Sequence, residues 1–108
     1  MRQLILQSYK RHKKKEWKLS EDEFYRISQM DCYYCGEKPT QIKKSTNNTG
    51  DFIYNGIDRI DSKKGYIINN VVPCCRKCNV AKSDMKLSEF KKWAIKIGER
   101  AMSDQWSI

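Results

Sequence analysis

Apolar positions along the chain change their spacing several times, and each change marks an element. Ser20-Glu21-Asp22-Glu23 has the form of a capping box with acids in the first turn, and Phe24 and Ile27 follow at a helical step. A short helix therefore starts here, and it ends before Cys32. Residues 37–50, with Pro39, Thr40, Ser45, Thr46, Asn47, Asn48, Thr49 and Gly50, read as a polar loop. Phe52-Ile53-Tyr54, then Ile57 and Ile60, then Tyr66 to Val72 predict short strands, with Asn55-Gly56 and Lys64-Gly65 as turns. Leu87, Phe90, Ala94, Ile97 and Ala101 recur at alternating steps of three and four, with Trp93 beside them. That spacing predicts a C-terminal amphipathic helix whose apolar stripe faces the core.

The segment ahead of the first helix has a different character. Between Met1 and Lys18 the chain carries Arg2, Lys10, Arg11, Lys13, Lys14, Lys15 and Lys18 against Glu16 alone, with Tyr9 and Trp17 interleaved. Such a run is either a solvated helix or an arm on backbone phosphates. The single histidine, His12, lies within it and reads as a bystander. Over all 108 residues, 22 Lys and Arg against 13 Asp and Glu leave a net charge of +9, which favours a polyanionic partner, nucleic acid first. The length suits one small domain, read as residues 19–103, with the arm at 1–18 and a tail at 104–108. No apolar run approaches the ~18 residues of a membrane span, and Leu4 to Leu6 is too brief for a signal core. A soluble, cytoplasmic protein with no membrane partner is expected.

A domain of this size and polarity has a marginal core and needs a staple. Five cysteines, an odd number without a secretory signal, point to thiolates on a metal rather than to disulfides. Cys32-Tyr33-Tyr34-Cys35 and Cys75-Arg76-Lys77-Cys78 each place two residues between their cysteines, so two tight knuckles would present four sulfurs to one zinc ion. Cys74, after Val71-Val72-Pro73, reads as a small buried hydrophobe, with a swap into the ligand set as the alternative. The order helix, knuckle, strands, knuckle, helix gives an α+β fold in which two strands and the segment opening at Asn79 make a zinc-stapled ββα unit.

Ile57-Asp58-Arg59-Ile60-Asp61, Gly65-Tyr66, Asn70-Val71-Val72-Pro73 and Cys75-Arg76-Lys77-Cys78-Asn79-Val80-Ala81-Lys82 together resemble the core of the HNH endonucleases. These are zinc-stapled ββα-metal nucleases common in bacteria and their phages. The resemblance runs from about Cys32 to Met85. It implies a ββα-metal core with flanking helices, a catalytic Mg²⁺ or Mn²⁺ held by Asp58 and Asn79, and Asn70 as the asparagine that orients the base through the loop backbone. One position departs from the pattern. The family's base, a histidine, follows the aspartate, and Arg59 stands there. Arginine offers only donors and stays charged at working pH, so it cannot be that base.

Three accounts stay open. Asp61, Tyr66 or a metal-bound hydroxide activates water while Arg59 clamps the phosphate; the enzyme is slow; or the site only binds. The resemblance thus implies a metal-dependent endonuclease acting on DNA, with a catalytically weak, zinc-stapled nucleic-acid-binding module as the alternative. RNA is not ruled out as a partner, and the oligomeric state is open. The expected backbone contacts are Lys10, Arg11, Lys13, Lys14, Lys15, Lys18, Arg59, Arg76, Lys77 and Lys82, which would position the nucleic acid without reading its sequence.

Overall fold

A computed structural model describes residues 6–7, 16–44, 50–103 and 105–106. The arm residues Lys10, Arg11, His12, Lys13, Lys14 and Lys15 lie outside the described residues. The described chain runs α1 (Glu21–Ser28), β1 (Gln41–Lys43), β2 (Phe52–Tyr54), β3 (Gly56–Arg59), a 3-10 turn (Ile68–Asn70), β4 (Val71–Cys74), α2 (Arg76–Lys82) and α3 (Leu87–Met102). It is an α+β arrangement with two separate two-stranded antiparallel sheets, β1–β2 and β3–β4.

Helix α1 begins as its sequence dictates. The Ser20 amide donates to the Glu23 carboxylate at 2.9 Å and the Glu23 amide donates to Ser20 Oγ at 3.1 Å, closing the capping box. The buried face of α1, Phe24 and Ile27, meets Leu19, Phe52, Ile57, Tyr66 and Val71 in one small core, against which Leu6, Trp17 and Tyr54 also pack. In the second sheet Gly56 lies opposite Cys74, Asp58 opposite Val72 and Arg59 opposite Val71. Helix α2 follows β4 directly, completing the ββα unit.

Four local expectations are corrected. The loop at 37–50 contains β1, whose Ile42 pairs with Ile53 of β2. Asn55-Gly56 is not a hairpin turn: β2 and β3 belong to different sheets, and Asn55 between them is buried. Its amide donates to Ser28 O at 2.8 Å and its side chain donates to Met30 O at 2.9 Å, so tertiary hydrogen bonds override the turn preference. The strand expected over Tyr66 to Val72 divides into a bridge at Tyr66, the 3-10 turn and then β4. Finally, α3 forms, but of its stripe only Phe90 is buried. Trp93 is 43% exposed and Met102 at its end 88% exposed, because the helix leaves the body beyond its first turns.

Gly65 has a specific task. Tyr66 pairs with Trp17 in a parallel bridge: the Tyr66 amide donates to Glu16 O at 2.7 Å and the Lys18 amide donates to Tyr66 O at 2.8 Å. A Cβ at Gly65 would stand 2.6 Å from Glu16 O, so only glycine lets the strand come this close.

Candidate functional site

The two knuckles come together although 40 residues separate Cys35 from Cys75. The ligating atoms of Cys32, Cys35, Cys75 and Cys78 all lie within 4.8 Å of one another, and Cys35 Sγ stands 3.7 Å from Cys75 Sγ. A tetrahedron of ~2.3 Å zinc–sulfur bonds has sulfurs about 3.8 Å apart, so the cluster suits a four-coordinate metal such as zinc.

Local hydrogen bonds build each knuckle. The Cys32 amide donates to Glu37 O at 2.8 Å and the Gly36 amide to Cys32 O at 2.9 Å, with Gly36 at φ +79° supplying the left-handed step. The Tyr33 amide donates to Pro73 O at 2.9 Å, stitching the first knuckle to β4. In the second knuckle Cys75 is itself the N-cap of α2, its sulfur accepting from the Cys78 amide at 3.4 Å. Burial alone would push the Cys32 thiol up, but backbone amides of Cys75, Cys35 and Tyr34 bring it down to about 7, nearer the thiolate a metal takes. Cys74 lies outside the cluster. Burial holds it firmly as a thiol, and it donates to Cys75 O at 3.4 Å.

A second constellation lies where β3, α2 and the loop after β3 meet. Asp58 Oδ2 accepts from Tyr34 Oη at 2.7 Å and pairs with Lys82 Nζ at 3.0 Å. Lys82 Nζ also donates to Arg59 O at 3.2 Å. Among the described residues no hydrogen bond reaches Asp58 Oδ1, and that oxygen is not sealed from solvent. Burial first, then the hydrogen bond and charge of Asp58, push the Tyr34 phenol well above its usual value, so it stays a donor.

Asn70 is 5% exposed and locks the loop on which Asp61 sits. Its Oδ1 accepts from the Asp61 amide at 3.0 Å, while its Nδ2 donates to Asp61 O at 3.1 Å and to Gly65 O at 2.9 Å. Arg59 Nη1 donates to Ser62 O at 2.7 Å and Lys64 O at 2.9 Å, and the guanidinium lies 5.0 Å above the centre of the Tyr66 ring. Asn79 is exposed on α2, one turn before Lys82, and none of the described hydrogen bonds ties its side chain to Asp58.

Of the basic residues, Lys18, Arg76 and Lys77 are exposed. Lys82, expected among the phosphate contacts, is not. Its side chain is 1% exposed and committed to Asp58, so it cannot reach a phosphate. Tyr34 and Lys82 are the two partners of Asp58 that sequence reasoning missed. Lys82 stands four residues after Cys78, on the same side of α2 as that cysteine, and this spacing carried the signal for Lys82.

No family model matches the chain. A solved structure of the rare-cutting HNH restriction endonuclease PacI aligns with 98% of this chain and 77% of its own, at a TM-score of 0.60 and 23% identity. The fold is shared with an HNH restriction endonuclease. The chain is also 36% identical over 97 residues to an uncharacterized protein of Acanthamoeba polyphaga mimivirus, covering 84% of this chain. It spans 16% of the length of that relative. In this chain β3, β4 and α2 form the ββα unit, and Asp58, Asn70 and Asn79 lie at the end of β3, before β4 and on α2. No helix among the described residues is long and apolar enough to cross a membrane.

Proposed function

We propose that this chain is a metal-dependent endonuclease that hydrolyses DNA phosphodiester bonds, with a structural zinc at Cys32, Cys35, Cys75 and Cys78. The observation that carries this is the fold shared with the HNH restriction endonuclease. The second constellation suits a hard divalent cation, because Asp58 Oδ1 carries no hydrogen bond among the described residues and is not sealed from solvent, and the Asn79 amide is exposed and uncommitted among the described residues. Asp58 and Asn79 would hold Mg²⁺ or Mn²⁺. Bound there, it supplies the charge that stabilises the leaving 3′ oxygen.

The chain's own groups supply the rest. Arg59 spends one nitrogen on loop carbonyls, and its remaining N–H groups clamp the scissile phosphate. Asp61 takes the proton from the attacking water. The Lys63 amide donates to the Asp61 carboxylate at 2.9 Å and Asn70 holds both the N–H and the C=O of Asp61, so that carboxylate is fixed through its own oxygen and through the loop backbone. Tyr66 is buried between Trp17 and Arg59, which disfavours it as the base. Exposed Lys18, Arg76 and Lys77, with the basic arm, contact backbone phosphates. A carboxylate base is weak near neutrality, so cleavage is slower than with imidazole.

One observation favours a module that binds nucleic acid without cutting it: the Lys82 ammonium already sits on Asp58. Plasmid nicking in Mg²⁺ or Mn²⁺, with Asp58→Ala and Asp61→Ala at matched zinc content, separates the two. Metal-dependent nicking that falls by about 100-fold or more in Asp58→Ala is expected. Nicking that survives Asp58→Ala refutes the site. Wild-type protein that binds DNA but never nicks it selects the binding module.

A further inference from the structure

Lys82 is the most deeply buried charge among the described residues, and nothing in the proposed chemistry uses it. Its side chain is 1% exposed, and Asp58 beside it is 11% exposed. A buried ammonium is costly unless paired and hydrogen-bonded, and here it has both a carboxylate at 3.0 Å and a carbonyl at 3.2 Å. The same carboxylate oxygen receives the Tyr34 hydroxyl at 2.7 Å, and Tyr34 lies inside the first zinc knuckle. Oδ2 is thereby saturated, which restricts Asp58 to offering one oxygen, Oδ1.

We propose that Lys82 is a positioning residue that acts as a built-in competitor cation. It neutralises Asp58 and fixes its carboxylate for single-oxygen coordination, so the site holds a divalent ion weakly until a nucleic-acid phosphate adds oxygens and negative charge. This rests on Asp58 being a metal ligand, as proposed above. The physical basis is Coulombic. A fixed positive charge in contact with the ligand carboxylate repels an incoming dication, and the repulsion is strong where water is scarce. A bound phosphate offsets it, so metal and nucleic acid bind with positive coupling, each raising the affinity for the other by the same factor.

Mn²⁺ binding to zinc-loaded protein without DNA, followed by the electron paramagnetic resonance of free Mn²⁺, tests this directly. Lys82→Met and Lys82→Gln both remove the charge, and the second keeps a hydrogen-bonding head. Either should bind Mn²⁺ about tenfold or more tightly than wild type, and adding Asp58→Ala should abolish the gain. Unchanged or weaker binding in a folded variant of normal zinc content overturns the competitor role, and Asp58→Ala alone lowering wild-type binding then leaves the ligand assignment standing. Tight binding that persists in the Asp58→Ala, Lys82→Met double variant overturns the ligand assignment and the competitor role with it. Should the neutral variants fail to fold, wild-type protein gives the answer. Saturating Mg²⁺ should shift the ¹⁵Nζ resonance of Lys82, and an unmoved resonance overturns the proposal.

Discussion

Asn70→Ala is the substitution that most directly joins stability to activity. The side chain makes three hydrogen bonds, at 3.0, 3.1 and 2.9 Å, all to the backbone of Asp61 and Gly65. At about 0.5–1.5 kcal/mol net for each, the loss is about 1.5–4.5 kcal/mol. Asp61 and Gly65 are only half-buried, so their freed backbone groups regain water and the cost falls in the lower half of that range. The Asn70 carbonyl that accepts from the Ile60 amide at 2.9 Å is untouched, so β4 still pairs with β3. A lowered urea midpoint with an unchanged slope is therefore expected, corresponding to about 1.5–3 kcal/mol. Nicking should fall by more than the folded fraction explains, since Asp61 loses both Asn70 bonds and keeps only the local ones from the Lys63 and Lys64 amides. Asn70→Asp keeps the acceptor for the Asp61 amide but turns a donor pair into an oxygen facing two carbonyls, and should be at least as damaging at neutral pH. An unchanged midpoint in Asn70→Ala would refute the clamp; a lowered midpoint with wild-type nicking by the folded protein would refute its catalytic purpose.

Cys35→Ser should lose the bound metal and with it much of the folded structure, read by metal analysis and thermal melting, because binding free energy at such a site is folding free energy. Cys74→Ala should keep a full complement of metal and lose only about 1 kcal/mol in urea unfolding. Gly65→Ala should destabilise by about 1–3 kcal/mol, since its Cβ collides with backbone rather than a movable side chain; an unchanged melt would show that the Trp17–Tyr66 bridge is dispensable. Replacing Lys13, Lys14 and Lys15 by Gln, rather than deleting an arm whose Leu6 packs on the core, should reduce the log–log salt slope of DNA binding by about 0.9 for each phosphate no longer neutralised. An unaltered slope would show that these lysines face away from the nucleic acid.

What could be read from the sequence was whatever local chemistry determines alone. The capping box at Ser20 needs only its own four residues, and paired cysteines at knuckle spacing have few uses in a reduced chain. The resemblance pointed to Asn70 as an asparagine acting through the loop backbone, but nothing in the sequence marks Asp61 and Gly65 as the residues whose backbone it holds. Four misreadings share one cause, the tertiary partner. Asn55-Gly56 carries a hairpin signal, but the Asn55 side chain is claimed by Met30 and Glu37 carbonyls. Gln41-Ile42-Lys43 is too short to show alternation until Phe52–Tyr54 lies beside it. The periodicity of α3 is genuine, yet periodicity says which residues share a face and not that the body extends far enough to cover it. Lys82 looked like one more surface cation because its partner, Asp58, arrives from a strand well before it in the chain.

The division of the four cysteines between two distant knuckles sets an order of events during synthesis. At ribosomal rates of ~5–20 residues per second, the 40 residues between Cys35 and Cys75 take roughly 2–8 seconds to appear. Throughout that interval the first knuckle can offer a metal two sulfurs only. α1 and its capping box can form meanwhile, but β3 has no β4 to pair with and Tyr34 has no finished site to brace. The nascent chain therefore carries an unshielded dithiol beside a half-made core until Cys78 emerges. Closure of the ββα unit and burial of Lys82 against Asp58 must wait for this late segment, as would the gathering of all four sulfurs around a metal.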